Sequence, residues 1–118
     1  MNYLLVFIGG GLGCMSRYAI SILSSRFYGG SFPLGTFVSN VISCLILAIA
    51  VGLMSKGIME QRWMKLGLVV GFCGGFSTFS TFSFESVQLI KNGNLAVAAG
   101  NMILSVAVCL ILLYKLTK

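Results

Sequence analysis

Histidine and aspartate are absent from this chain. Glutamate occurs only at Glu60 and Glu85, and proline only at Pro33. General acid–base catalysis and metal cages are built mostly from His, Asp and Glu. So poor an inventory argues against an enzyme and leaves Glu85 as the only acid near membrane depth. Charge is scarce altogether, at 8% of the 118 residues, where a soluble domain carries about 25%. The four cysteines, Cys14, Cys44, Cys73 and Cys109, all sit inside hydrophobic runs. They read as small buried apolar residues rather than as a disulfide framework. The net charge of +6 is scattered over Arg17, Arg26, Lys56, Arg62, Lys65, Lys91, Lys115 and Lys118. It forms no stripe for nucleic acid. No basic n-region or small-residue cleavage site marks the first apolar run, so that run is expected to stay as a span rather than be removed as a signal peptide.

What is present is grease. Hydrophobic residues make up 58% of the chain, and the mean hydropathy is +1.01. The expectation is an all-α integral membrane protein, a single membrane domain over residues 1–118 with spans near 3–24, 33–54, 63–90 and 95–114. Pro33 suits the first turn of the second span, and Trp63 suits an interface. Gly93 and its flanking asparagines break the chain before the fourth span. Most of the basic residues fall where spans end, as snorkelling side chains do.

The third span is too long for a bilayer core of ~20 helical residues. It also holds an unusual run, GFCGGFSTFSTFSFE, from Gly71 to Glu85. An interruption near Gly74-Gly75 accounts for both, because glycine tolerates the dihedrals of a break. The freed carbonyls then need a partner, and a cation is one. Gly9 and Gly13, and Gly67, Gly71 and Gly75, are spaced for close helix contact, either within one subunit or between two. Arg17, deep in the first span, either faces an aqueous vestibule or snorkels. Asn40, mid-way along the second, is either an interhelical clasp or a donor on a pathway, with Thr36 one turn earlier. Taken as one helix, Phe76, Phe79 and Phe82 form an aromatic stripe. Ser80 with Ser83, and Thr81 with Glu85, flank it as polar rows. Positive ring edges and neutral donors suit a small dehydrated anion without trapping it.

Three signatures in order carry a resemblance: GGGLGCMSRY in the first span, GTFVSN in the second and GFCGGFSTFSTFSFE in the third. Along essentially its whole length the chain resembles the Fluc (CrcB) family of small fluoride channels. The resemblance implies a multi-pass protein of the bacterial cell membrane that assembles as an antiparallel, dual-topology dimer. It implies passive, fluoride-specific export that lowers cytoplasmic fluoride. Phe79 and Phe82 match the phenylalanines whose edges face the ion, and Asn40 matches the pore asparagine. Ser80, Thr81 and Ser83 fall in the polar track, with Thr36 near it and Ser105 filling one position from the fourth span. Arg17 matches the vestibule arginine. A structural sodium ion at the dimer centre would be held by the backbone carbonyls of Gly74 and Ser77. Departures are Ser77 for a common threonine, Ser43 for a frequent glycine and Cys109 at a position usually given to serine.

Basic residues concentrate on the side of the termini: Lys56, Arg62, Lys65, Lys115 and Lys118, against Arg26 and Lys91 opposite. The positive-inside rule places the termini in the cytoplasm. That bias leaves two assemblies open, a homodimer or a heterodimer with a related, oppositely oriented subunit. Two other readings also remain at this point. A small multidrug-resistance-type exporter would need Glu85 as its proton-coupled carboxylate, and a non-transporting assembly subunit would use only the glycine ladders.

Overall fold

In a computed structural model the chain is described over residues 2–30, 32–57 and 62–117. Among these residues every regular element is helical. Helix α1 spans Asn2–Phe27 and α2 Leu34–Ser55. A π-helical segment, Trp63–Cys73, runs on into the single turn α3, Gly74–Phe76. Helix α4 covers Phe79–Lys91 and α5 Leu95–Leu116. Four stretches are long and apolar enough to cross a membrane: Asn2–Phe27, Leu34–Ser55, Trp63–Lys91 and Leu95–Leu116. The loop that contains Glu60, and the terminal Lys118, lie wholly or partly outside the described residues.

Local chemistry sets the ends. Pro33 acts as the N-cap of α2, one position before the first helical turn expected of it. Its carbonyl accepts from the Phe37 N–H at 3.1 Å. After α4, the Gly93 N–H reaches the Ile90 carbonyl at 3.1 Å and the Asn94 N–H reaches that of Leu89 at 2.8 Å. That pairing is a Schellman motif, and it requires the left-handed conformation Gly93 adopts, with φ of 84°. Arg26 and Lys91 sit in the last turns of their helices, where the helix dipole favours a cation. The Arg62 Nε–H donates to Asn2 Oδ1 at 3.1 Å. This bond ties the start of the third span to the start of the first.

The interior is made of small and polar residues. Ser39, Ser43, Ala48, Ala50, Ala98 and Asn101 are buried, while Tyr3, Phe7, Phe27 and Ile103 are exposed. That is the reverse of a soluble core, and it follows from the solvent: lipid tails are as apolar as leucine, so helices associate through close backbone approach and hydrogen bonds.

Gly9, Gly13, Gly71 and Gly75 pack inside the subunit, whereas a Cβ on Gly67 would meet open space. A Cβ on Gly9 would collide with the Gly67 carbonyl, one on Gly13 with that of Phe72, and one on Gly75 with that of Gly10. Helix α1 and the π-helical segment thus meet backbone to backbone, and self-association need not be invoked for those four. A Cβ on Gly11, by contrast, meets nothing within 4 Å. Gly9→Ala should therefore destabilise the detergent-solubilised protein by roughly 1–3 kcal/mol, as overpacking does. Gly11→Ala, on the same helix, should be neutral or stabilising by up to ~1 kcal/mol. Thermal unfolding followed by Trp63 fluorescence checks the pair, and equal effects at both positions would refute the packing.

A membrane cleft at the break in the third span

The third span breaks at Ser77 and Thr78, not at the glycine pair. Ser77 (φ −88°, ψ 157°) and Thr78 (φ −152°, ψ 123°) are extended, whereas Gly74 is helical at φ −64° and ψ −37°. Gly75 supplies thinness, allowing α1 to approach. The hydroxyl residues supply the interruption, because a threonine side chain can cap a new helix. Thr78 Oγ1 accepts from the Thr81 N–H at 3.3 Å, in the usual N-cap manner.

Every neighbouring helix then sends a side chain to the break. Asn40 Oδ1, from α2, accepts the Thr78 N–H at 3.1 Å. Ser43 Oγ, also from α2, donates to the Cys73 carbonyl at 3.1 Å. The same carbonyl takes the Ser77 N–H at 3.0 Å and the Ser77 hydroxyl at 2.8 Å. Arg17 Nε, from α1, donates to the Gly75 carbonyl at 3.2 Å. Arg17 is half-buried and anchored to the backbone of α3, so it is neither simply extended into headgroups nor wholly free in a vestibule.

Receiving the Thr78 N–H fixes the orientation of the Asn40 amide, since only its oxygen can accept. Its NH2 group is left as a donor with no hydrogen-bond partner among the described residues. Asn40 lines a cleft of about 300 Å³ together with Ser77, Thr78, Phe79, Phe82 and Ser105, and with Cys44 and Cys109. Among the described residues no charged side chain lines this cleft. Phe79 and Phe82 stack at a tilt, with ring centroids 5.9 Å apart. Phe79 is 79% exposed in the single subunit.

The expected aromatic stripe is split by the break. Phe76 belongs to the preceding turn, is buried and pairs with Phe72 at 5.3 Å. The cleft brings together Asn40, Phe79, Phe82, Ser77 and Ser105. Ser80, Thr81 and Ser83 do not line it. Ser80 lies within 3.2 Å of the Thr78 hydroxyl, and Thr81 is within 3.4 Å of it. Thr36 is buried beside a neighbouring cavity of about 210 Å³, with Ser21, Ser24, Tyr28 and Glu85. Glu85 Oε1 is buried there without a hydrogen-bond partner among the described residues. Gly74 and Ser77 flank the break on the side of α3.

One buried group escaped the reading of the sequence. Asn101 is wholly buried. Its Nδ2 donates to Ser86 Oγ at 3.1 Å, and its Oδ1 accepts from Ser105 Oγ at 3.2 Å. Ser86 Oγ donates in turn to the Phe82 carbonyl at 2.9 Å. This chain of bonds fixes α5 against the helix that bears Phe82. The signal that singled out Asn40, an amide midway along an apolar span, was present at Asn101 too.

Four helices long and apolar enough to cross a membrane, the third of them broken beside a cleft, define a small all-helical integral membrane protein. The model of the CrcB-like protein, Camphor Resistance (CrcB) family matches residues 4–115, and the chain belongs to that family. Among its relatives is the fluoride-specific ion channel FluC of Geotalea uraniireducens, 37% identical over 92% of this chain and 86% of the relative. The FluC protein of Maridesulfovibrio salexigens is 41% identical over 86% and 80% respectively. That of Coxiella burnetii is 41% identical over 93% and 90%.

Asn101→Ala should strand the Ser105 hydroxyl, leave Ser86 only its bond to the Phe82 carbonyl, and cost about 1–3 kcal/mol of stability. Asn101→Ala combined with Ser86→Ala should cost less than the sum of the two single changes, because they share one bond. Thermal midpoints of the four proteins in detergent check the coupling.

Proposed function

We propose that this chain forms a fluoride-specific channel that lets the ion leave the cytoplasm passively and so lowers its concentration there. The observation that carries the reading is the composition of the cleft: one asparagine amide with an uncommitted NH2 group, two phenylalanine rings and hydroxyls, with no fixed charge on the wall. Fluoride is small and strongly hydrated, so leaving water demands close donors. A lysine or arginine would supply attraction but would also hold the ion. Neutral dipoles and ring edges bind weakly enough to release it. The FluC names borne by relatives that match most of this chain agree with this reading.

The pathway proposed uses Asn40, Phe79, Phe82 and Ser105, with Ser80, Thr81, Ser83 and Thr36 extending the polar track along α4 and α2. Arg17 biases the approach towards anions. A second subunit in inverted orientation is part of the proposal, and the exposure of Phe79 supports it. A ring edge that lines a conduit needs a surface opposite. Either a copy of this chain or a related, oppositely oriented subunit can supply it.

The sodium ion is proposed at the same break. In a continuous helix the Gly74 carbonyl would accept from the Thr78 N–H and the Ser77 carbonyl from the Thr81 N–H. Those donors are engaged by Asn40 and by the Thr78 hydroxyl. Gly74 and Ser77 thus offer neutral oxygens, the donor type a hard cation takes. Bound there, sodium would supply positive charge to hold the break together, and two inverted subunits would double the set of carbonyls.

Liposomes holding only this chain test the reading. Rapid fluoride efflux is expected, with chloride nearly excluded and no dependence on a proton gradient. Phe79→Ile and Phe82→Ile should each reduce flux at least about tenfold, equivalent to ~1.4 kcal/mol on the barrier, while the protein remains folded. Replacing sodium with a larger organic cation should lower both flux and thermal stability. Efflux that persists in Glu85→Gln separates this reading from a proton-coupled exporter. Silence with this chain alone, followed by flux once a related subunit is added, identifies the heterodimer.

A further inference from the structure

We propose that Cys44 and Cys109 form a two-coordinate site for a soft, thiophilic metal ion in the wall of the cleft. Cys44 lies one helical turn beyond Asn40 on α2, and Cys109 one turn beyond Ser105 on α5. Both side chains line the same cleft, and Cys109 Sγ reaches across from α5 to the α2 backbone one turn before Cys44. Both side chains are half-buried, so an ion in the cleft can reach them. Cys109 Sγ also points at the Asn40 carbonyl, 3.7 Å away, which places the pair beside the amide.

The ligand type selects the metal. Thiolates prefer soft ions, and two sulfurs lining one cleft suit an ion content with two ligands. Among the described residues no group of three or more His, Cys, Asp or Glu side chains is placed to hold a metal, so a tetrahedral zinc-type site is not available. Charge balance narrows the choice further. A mercuric ion that binds two thiols displaces both protons and forms a neutral S–Hg–S bridge, with no change of oxidation state. The protons pass to water through the cleft. A monovalent soft ion would leave a net negative charge in an apolar wall, which is costly.

The other two thiols are placed differently. Cys14 is exposed on α1 and does not line the cleft. Cys73 is buried, donates to the Ser43 carbonyl at 3.7 Å and does not line the cleft. The consequence for transport rests on the channel reading: a metal bridge beside Asn40 obstructs the conduit. Binding itself does not depend on that reading.

The full-length chain in detergent is titrated with mercuric chloride, washed with glutathione and examined by non-denaturing mass spectrometry. The expected product is the protein mass plus one mercury less two hydrogens. Free thiols are then alkylated, the metal is stripped with dithiothreitol, and the newly exposed cysteines are labelled and mapped against a metal-free control. Metal-dependent protection of Cys44 and Cys109 together supports the site. Protection of Cys14, or of Cys44 with Cys73, overturns it. Cys44→Ala and Cys109→Ala should each abolish retention through the glutathione wash, while Cys14→Ser should keep it. If either alanine variant fails to fold, the mapping on the unaltered chain decides. In liposomes, mercuric ion should stop fluoride efflux through the unaltered chain and spare Cys109→Ala. Full flux with the metal bound would refute obstruction, and a chain that conducts nothing would refute the channel reading without touching the site.

Discussion

A polypeptide backbone that leaves its helix inside a membrane must find hydrogen bonds from other parts of the protein. The whole arrangement turns on that demand at Ser77 and Thr78. Two extended residues withdraw the Thr78 and Thr81 N–H groups from the helical ladder. Asn40 takes one and the Thr78 hydroxyl takes the other. Arg17 and Ser43 donate to carbonyls just before the break. These residues are on α1 and α2, so the break is also what determines how those helices are set around the third span.

The same bonds create the cleft. Asn40 holds the backbone with its oxygen, which leaves its NH2 group uncommitted among the described residues. Thr78 caps α4, and the new helix axis swings Phe79 away from Phe76 and next to Phe82. Across the cleft, Asn101 fastens Ser86 on α4 to Ser105 on α5. Structural polar groups and cleft-facing polar groups are therefore parts of one network. A substitution at Asn40 removes both a backbone clasp and a donor, so its effects on folding and on transport are coupled.

Much of this was legible in the residues. Composition gave the solvent, apolar run lengths gave four spans, and Pro33, Trp63 and Gly93 placed the ends close to where the helices stop. Asn40 stood out because an amide in hydrocarbon is costly. Other features were hidden because they depend on three-dimensional partners. Gly74 and Gly75 looked like the break, yet they remain helical, and their lack of side chains serves contact with α1. Helical spacing put Phe76 in line with Phe79 and Phe82, but that reasoning assumed an unbroken helix. The glycine series did not announce whether they faced within the subunit or outward. Ser43, a departure from the family pattern, proves to be a donor to the Cys73 carbonyl. Asn101 was overlooked although it meets the criterion that selected Asn40.

The π-helical winding of Trp63–Cys73 has a mechanical consequence. A wider coil spends more residues on girth and fewer on height, so the 11 π-wound residues take up part of the excess that a 29-residue span, ~43 Å as an α-helix at 1.5 Å per residue, would have over a ~30 Å hydrocarbon slab. Its fit to bilayer thickness comes from coil diameter as well as from tilt.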